Sequence, residues 1–186
     1  SDCELHDYFD TEIEKLAINN SETKEEAYKH LRLMYDGYHF SEDTPGMYNP
    51  FSLLNTLSRK KYGSYWFETG TPTFLVELLQ NKDFNLEKMS NFETDADSLN
   101  SIFSDDNPIP AIFQSGYLTI KGYDERFKLY NLGFPNKEVE DGFVKFLMPF
   151  YTSKGKNDSA FEISKFVNDV ENGNADGFMS RLQSFF

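Results

Sequence analysis

The sequence has almost no cysteine and no long apolar run, and each absence excludes a class of protein. Cys3 is the single cysteine among 186 residues, so an internal disulfide and a multi-cysteine zinc site are both excluded. No stretch of 18 apolar residues occurs, so no transmembrane helix is expected, and no signal peptide is recognisable. These features fit a reducing, cytoplasmic environment. The chain starts at Ser1 without a methionine, and we expect an excised segment of a longer protein.

The sequence also lacks the short motifs that hold phosphates or catalytic metals. There is no GxxxxGK[ST] loop and no GxGxxG turn. No aspartate is followed by a strand-like segment bearing Glu-x-Lys, the carboxylate and lysine arrangement of a metal-dependent nuclease. The three histidines (His6, His30 and His39) share no ligand spacing, and the acidic run at 93–97 lacks the glycine and terminal glutamate of a calcium loop. We therefore predict no catalytic residue and no metal ligand in this chain.

Basic residues are few, and the acidic excess is concentrated in two places. There are 18 Lys and Arg residues against 31 Asp and Glu residues, which gives a formal net charge of −13. Residues 1–30 and 83–106 each contribute a net charge of −6. A surface of this sign repels phosphate backbones, so nucleic-acid binding by this chain alone is disfavoured. Solvated helix faces and an acidic loop explain the pattern without any binding role.

Aromatic residues are abundant, above all between Leu33 and Thr69. This stretch contains nine aromatic side chains and the segment YDGYHF. Gly37 follows a helical pattern and suits the left-handed position that ends a helix. Asn49-Pro50 is typical of a cap followed by the first residue of a helix, and Thr71-Pro72 repeats the pattern. Taken alone, the stretch is interpreted as an aromatic-rich core segment between helices.

Apolar periodicity and capping patterns predict a series of helices in the first part of the chain. The first covers about 4–19, with Leu5, Tyr8, Phe9, Ile13 and Leu16 at helical spacing. The second begins after a Thr23/Glu26 capping box and runs to about Tyr35. The third covers about 50–61, and a fourth begins at Pro72.

The sequence pattern of the second part of the chain predicts a connector, a hairpin and further helices. Residues 83–108 are acidic and lack a regular apolar pattern, which predicts an irregular connector that contains at most a short helix or strand. A short helix at 110–116 precedes strands at 117–120 and 127–130, and a helix at 137–151 follows a Pro135-Asn136 cap. Helices are also predicted at about 159–171 and from 175 onward. The fold class is mainly α (α+β), and the predicted divisions are 1–82, 83–108 and 109–186. A helix on each side of a hairpin is compatible with a winged-helix-like unit.

Two blocks of sequence resemble a known bacterial family. The first comprises YDGYHF, YNPFSLLNTL and GSYWFETGTPTFLVELL, and the second comprises FQSGYLTIKGYD and YNLGFPNKEVEDGFVKFLMPFYT. In order and spacing they are similar to the distal part of AAA-type ATPase-like proteins that end in a PD-(D/E)XK nuclease-like domain. The matching residues, structural or at interfaces in that family, are Tyr35, Asp36, Gly37, Tyr38, Tyr48, Asn49, Pro50, Trp66, Thr69, Gly116, Tyr117, Gly133, Pro135 and Asn136.

The resemblance implies a chain that lies between two catalytic centres. The phosphate-binding loop would lie before Ser1 and the nuclease site after Phe186, so ATP and Mg²⁺ would belong to the parent protein. Residues 1–82 would be a helical lid, and residues 109–186 an arm that leads to the nuclease-like domain. Arg32 and Arg59 are the two candidates for a lid arginine directed at the nucleotide. The ATPase core and nuclease-like domain would be intramolecular partners.

Two interpretations stay open at this stage. Asp36 follows Tyr35 at a helix end, where it either bonds the backbone amides of the next turn or contacts the ATPase core. The alternative to a lid is a self-contained protein- or DNA-binding module of winged-helix type. Its hairpin would use Lys121, Arg126 and Lys128, although a protein partner suits the acidic surface better.

Overall fold

The computed structural model describes residues 1–68, 91–101, 108–151, 165, 167–170 and 172–183. The chain divides into two compact units, Ser1–Gly142 and Phe143–Phe186. The described part is mainly helical with one small antiparallel sheet, which confirms the predicted α+β class. Its helices are α1 (Asp2–Asn20), α2 (Lys24–Tyr35), α3 (Pro50–Arg59), α4 (Tyr65–Glu68), α5 (Ala96–Asn100), α6 (Ile109–Gln114), α7 (Lys137–Tyr151) and α8 (Ala175–Gln183). Its strands are β1 (Phe92–Thr94), β2 (Thr119–Asp124) and β3 (Leu129–Gly133).

Helices α1, α2 and α3 pack together around one apolar core in the first unit. Their starts follow from local hydrogen bonds: Thr23 and Glu26 form the predicted capping box, and the Asn49 side chain accepts from the amides of Phe51 and Ser52 at 3.1 and 3.3 Å. The buried core residues are Leu5, Ile13, Leu16, Ala17, Ala27, Leu31, Tyr35, Tyr48, Leu53 and Leu57.

One residue of the predicted apolar face of α1 is not in this core. The side chain of Tyr8 is 74% exposed. Leu5, Ile13 and Leu16 are almost completely buried, so the strip of α1 that faces its neighbours is narrower than the periodicity predicted. Tyr8 lies beside that strip, at the edge of a groove.

The sheet joins a strand from the middle of the predicted connector to the hairpin. Its strand order is β1-β3-β2, and both pairings are antiparallel. Strand β1 and helix α5 lie within the predicted connector, where a short strand or helix was allowed for. The order α6-β2-β3-α7 confirms a helix on each side of a hairpin. Its winged-helix character stays a prediction.

The hairpin turn comes later in the chain than predicted. Residues 121–124 were predicted as part of the turn but belong to β2, and the turn covers 125–128. The Asp124 side chain accepts from the amides of Arg126 and Phe127 at 2.9 and 3.0 Å, which fixes the turn there. The register shifts by one residue between Ile120 and Gly122, so Lys121 is an extra residue in β2, as in a β-bulge.

Several predicted features lie outside the described residues. They include the fourth helix from Pro72, Thr69, and most of the connector and of the helix predicted at 159–171. Residues 165 and 167–170 are helical, and α8 begins at Ala175 as predicted. The predicted divisions at 1–82, 83–108 and 109–186 stay a prediction.

Candidate functional site

Gly37, directly after the end of α2, lies against the backbone in front of α7. Its φ is +109°, and a Cβ atom there would lie 2.2 Å from the Pro135 carbonyl oxygen. The Lys121 Nζ donates to the same oxygen at 3.0 Å. Only glycine allows this approach, because any other side chain would occupy the space of the carbonyl. The predicted positive φ is therefore found, but Asp36, not Gly37, caps the helix with an extended backbone.

The Asp36 side chain does not bond the amides of the next turn, contrary to one of the two interpretations. Its Oδ1 atom is buried and has no hydrogen-bond partner among the described residues. Tyr38 and Met47 pair with each other through reciprocal backbone hydrogen bonds of 3.2 and 2.9 Å, so these amides are already used. The pKa of Lys121 is lowered, because burial disfavours its charged form. The negative charge of Asp36 offsets part of this lowering.

Glu138, in the first turn of α7, bonds two other helices. Its side chain is completely buried. Oε1 accepts from the Ser52 hydroxyl of α3 at 2.7 Å and from the Trp66 backbone amide of α4 at 2.9 Å. A buried carboxylate is costly unless hydrogen bonds replace its hydration, and these bonds supply part of that replacement. Burial, and then the charge of Glu138, raise the pKa of Tyr38 far above its ordinary value.

An aromatic contact lies beside Glu138. The rings of Trp66 and Tyr117 are 5.0 Å apart and tilted by 55°. Gly116 has a φ of +80°, and a Cβ atom there would lie 3.7 Å from the Tyr38 ring and 3.8 Å from the Trp66 ring. Burial raises the pKa of Tyr117 to about 12. We call the set of Gly37, Tyr38, Trp66, Gly116, Tyr117, Pro135 and Glu138 the junction.

Other residues that match the resembling family stabilise the helices next to the junction. The Tyr35 hydroxyl accepts from Thr56 at 2.7 Å and from the Gly63 amide at 3.0 Å, and burial is the largest cause of its raised pKa. The Tyr48 hydroxyl donates to Asp2 at 2.7 Å. Asn136 caps α7 by accepting from the Val139 amide at 3.1 Å. Pro50 is the first residue of α3, and Gly133 ends β3 opposite Thr119.

The two candidate arginines each have an intramolecular contact. Arg32 is 67% exposed, with Asp2 at 3.5 Å and Asp36 at 3.7 Å. It lines a cleft of about 360 Å³ between the end of α2 and the start of α7. Arg59 does not line that cleft and lies over the Tyr65 ring, 4.9 Å from its centre. Their role toward a nucleotide stays a prediction.

The described residues contain no group of three His, Cys, Asp or Glu side chains that could hold a metal ion. His30 stacks on Tyr62 at 3.6 Å and contacts Glu22 at 3.0 Å. His39 Nδ1 lies 2.7 Å from the Thr44 carbonyl oxygen. These contacts give both rings a structural role.

The basic residues of the hairpin do not form one surface set. Lys121 is bonded to Pro135, Arg126 lies over the Phe127 ring at 4.8 Å, and Lys128 has a φ of +55° in the turn. The ammonium group of Lys121 is therefore bonded to Pro135, a residue of the junction.

Sequence reasoning missed Ser52 and Glu138, and it placed Lys121 on a surface. Glu138 is two residues after Asn136, which was identified as a cap, but acids are ordinary in the first turn of a helix. No local pattern distinguishes a buried first-turn glutamate from an exposed one. The partners of Glu138 lie 86 and 72 residues away, beyond the range of any local pattern.

Comparison with known proteins gives one informative relative. No family model and no solved structure matches the chain. The "Uncharacterized protein in vnfD 5'region" of Azotobacter chroococcum mcd 1 is 39% identical over 127 residues, which is 65% of this chain and 24% of the relative. The chain thus spans about a quarter of that relative's length. Within the described residues, no helix is long and apolar enough to cross a bilayer.

Proposed function

We propose that this chain is a non-catalytic lid and connecting arm of an AAA-type ATPase-like protein. An ATP-binding P-loop core would precede Ser1, and a PD-(D/E)XK nuclease-like domain would follow Phe186. ATP and Mg²⁺ would bind the parent protein outside this chain, in the cytoplasm. The intramolecular partners of the chain would be the ATPase core and the nuclease-like domain.

The observation that supports this proposal is the junction itself. The two sequence blocks that resemble the family come together there, through Gly37 and Pro135, through Trp66 and Tyr117, and through Glu138. A lid that passes movement to an arm needs stiff contact between the two, because loosely packed elements absorb a displacement. Buried hydrogen bonds and close backbone contact provide such stiffness.

The first experiment determines the reading frame on both sides of this segment. A glycine-rich loop with Lys-Ser/Thr upstream and an Asp…Glu-x-Lys pattern downstream are expected. Stop codons close to both ends of the segment would refute the proposal. The 186-residue chain alone is expected to hydrolyse no ATP, and metal-dependent turnover by the pure chain would contradict the proposed role.

The second experiment tests the junction in the complete polypeptide. Glu138→Gln keeps the shape of the side chain and removes its charge. We expect it to weaken binding of a fluorescent ATP analogue by about fivefold or more, the usual lower range of coupling between sites. Asp141→Asn, on the same helix and partly exposed, is the matched control and should bind as wild type. If both variants bind the ATP analogue equally well, the junction does not influence nucleotide binding.

A self-contained binding module of winged-helix type is the alternative, and the helix–hairpin–helix order favours it. The protein-binding form suits the structure better than the DNA-binding form. Lys121 is tied to Pro135, which leaves Arg126 and Lys128 as the basic residues of the hairpin. Two phosphate contacts on a chain of net charge −13 give little affinity for DNA.

A further inference from the structure

A groove on the first unit lies between α1 and the segment that enters α3. Its volume is about 500 Å³. Its apolar walls are formed by Leu5, Tyr8, Phe9, Met47, Tyr48 and Leu53. Tyr8 and Met47 are 74% and 52% exposed, so apolar surface is open to solvent at the rim. Phe51 and Leu54, which follow the lining residues Pro50 and Leu53 in the sequence of α3, are 46% and 50% exposed. Apolar side chains exposed around a groove are typical of a binding surface.

Acidic side chains predominate on the helix that forms one wall of the groove. Glu4 and Ser1 line the groove, the Ser1 amino group donates to Glu4 at 2.7 Å, and no lysine or arginine lines it. Helix α1 contains six carboxylates against one lysine, Lys15. The side chain of Glu4 is 68% exposed. A partner must therefore bring apolar side chains for the groove and positive charge for its edge.

We propose that this groove binds the apolar face of a basic amphipathic helix from another polypeptide. A helix presents large side chains at positions i, i+3 or i+4, and i+7, and a groove beside a helix accommodates such a row. Lysines or arginines flanking that row would meet the carboxylates of α1. A second copy of this chain suits the groove poorly, because two chains of net charge −13 repel each other. This inference does not depend on the proposed lid function.

The probe is a 15-residue fluorescein-labelled helix of leucine and lysine, with the leucines on one face. Fluorescence anisotropy measures its binding to the 186-residue chain. One control peptide has glutamate in place of lysine, and another has the same composition with the leucines scattered around the helix. We expect each control peptide to bind at least tenfold more weakly than the probe. Binding of the probe should also weaken as salt is added, because part of the attraction is between exposed charges.

The protein variants separate the groove from the general acidity of α1. Tyr8→Ala combined with Met47→Ala removes rim side chains that are more than half exposed, so the fold is expected to persist. We expect about a tenfold loss of probe affinity, as for side chains that contribute strongly to an interface. Ile18→Ala is the matched control, because Ile18 is on the same helix and is also 74% exposed. Trp66 fluorescence checks the fold of each variant.

Three results would overturn the proposal. The first is equal binding of the probe and the scattered-leucine peptide, which would show that charge alone attracts them. The second is an equal effect of the Tyr8/Met47 double variant and Ile18→Ala. The third is a concentration-dependent dimer in sedimentation that the double variant abolishes, since the occupant would then be a second copy.

Discussion

Replacing Gly37 with alanine should disrupt the contact between α2 and the segment before α7. Two costs add at this position. A φ of +109° is a conformation that side chains other than glycine rarely adopt, which costs about 1–3 kcal/mol. The new Cβ atom would also lie 2.2 Å from the Pro135 carbonyl oxygen, whereas real Cβ atoms stay beyond 3.0 Å from such neighbours. The backbone must therefore move, which disturbs the bond from Lys121 at a further cost of about 1 kcal/mol. We expect a total loss of about 3 kcal/mol in the free energy of unfolding.

Gly116→Ala separates these two costs. Gly116 also has a positive φ, +80°, but its added Cβ atom would make ordinary contacts at 3.7 and 3.8 Å. We expect this control to lose about 1 kcal/mol, from backbone strain alone. Urea unfolding followed by the fluorescence of Trp66, the single tryptophan, reports on the first unit without the second. If Gly37→Ala and Gly116→Ala lower the free energy of unfolding by amounts that agree within about 0.5 kcal/mol, the close approach of Gly37 to Pro135 is refuted.

Two further predictions concern a helix cap and a buried phenol. Asn49→Ala should destabilise the first unit by about 1 kcal/mol in urea unfolding, because two amides of α3 lose their acceptor. Asn49→Ser should recover most of that loss. A free energy of unfolding that is unchanged by Asn49→Ala would contradict the capping role. The pKa of Tyr117 is raised to about 12, so between pH 10 and 12 the unfolded chain loses a phenol proton that the folded chain keeps. Stability should therefore fall as the pH rises through this window, by at most about 1.4 kcal/mol per pH unit from this residue. Tyr117→Phe should reduce the slope in urea unfolding at several pH values, and an equal slope would show that Tyr117 ionises normally.

Local features of the fold were predictable because their causes are local. The caps at Thr23, Asn49 and Asn136 accept hydrogen bonds from residues two or three positions ahead. Such bonds depend on a few consecutive residues, which a sequence displays directly. The starts of α2, α3 and α7 were therefore predicted to the residue.

Two local features were nevertheless not predicted. The short helix α4 and the position of the hairpin turn were missed. The turn depends on competition between Gly122 and Asp124, two residues that both favour turns, and the Asp124 hydrogen bonds decided it. A single sequence contains no measure of which of two such residues prevails.

The junction shows a different limit, because it depends on residues that are distant in sequence. Resemblance to the family identified Gly37, Trp66, Tyr117 and Pro135, and the structure brings these residues close to one another. It did not identify Glu138, whose importance comes from being buried between helices that are distant in sequence. Burial of a charged residue depends on tertiary packing, and amphipathic periodicity does not encode it.

The bulge in β2 also explains why the hairpin is one residue longer than its pairing needs. Ile120 and Gly122 pair with consecutive residues of β3, so the ladder would continue without interruption if Lys121 were deleted. A shortened chain would still form its hairpin, but the Pro135 carbonyl would lose its ammonium donor. The length of this strand is therefore set by what lies beside the sheet. A deletion at this one position would be tolerated by the strand pairing and would weaken the contact between the end of α2 and the segment before α7.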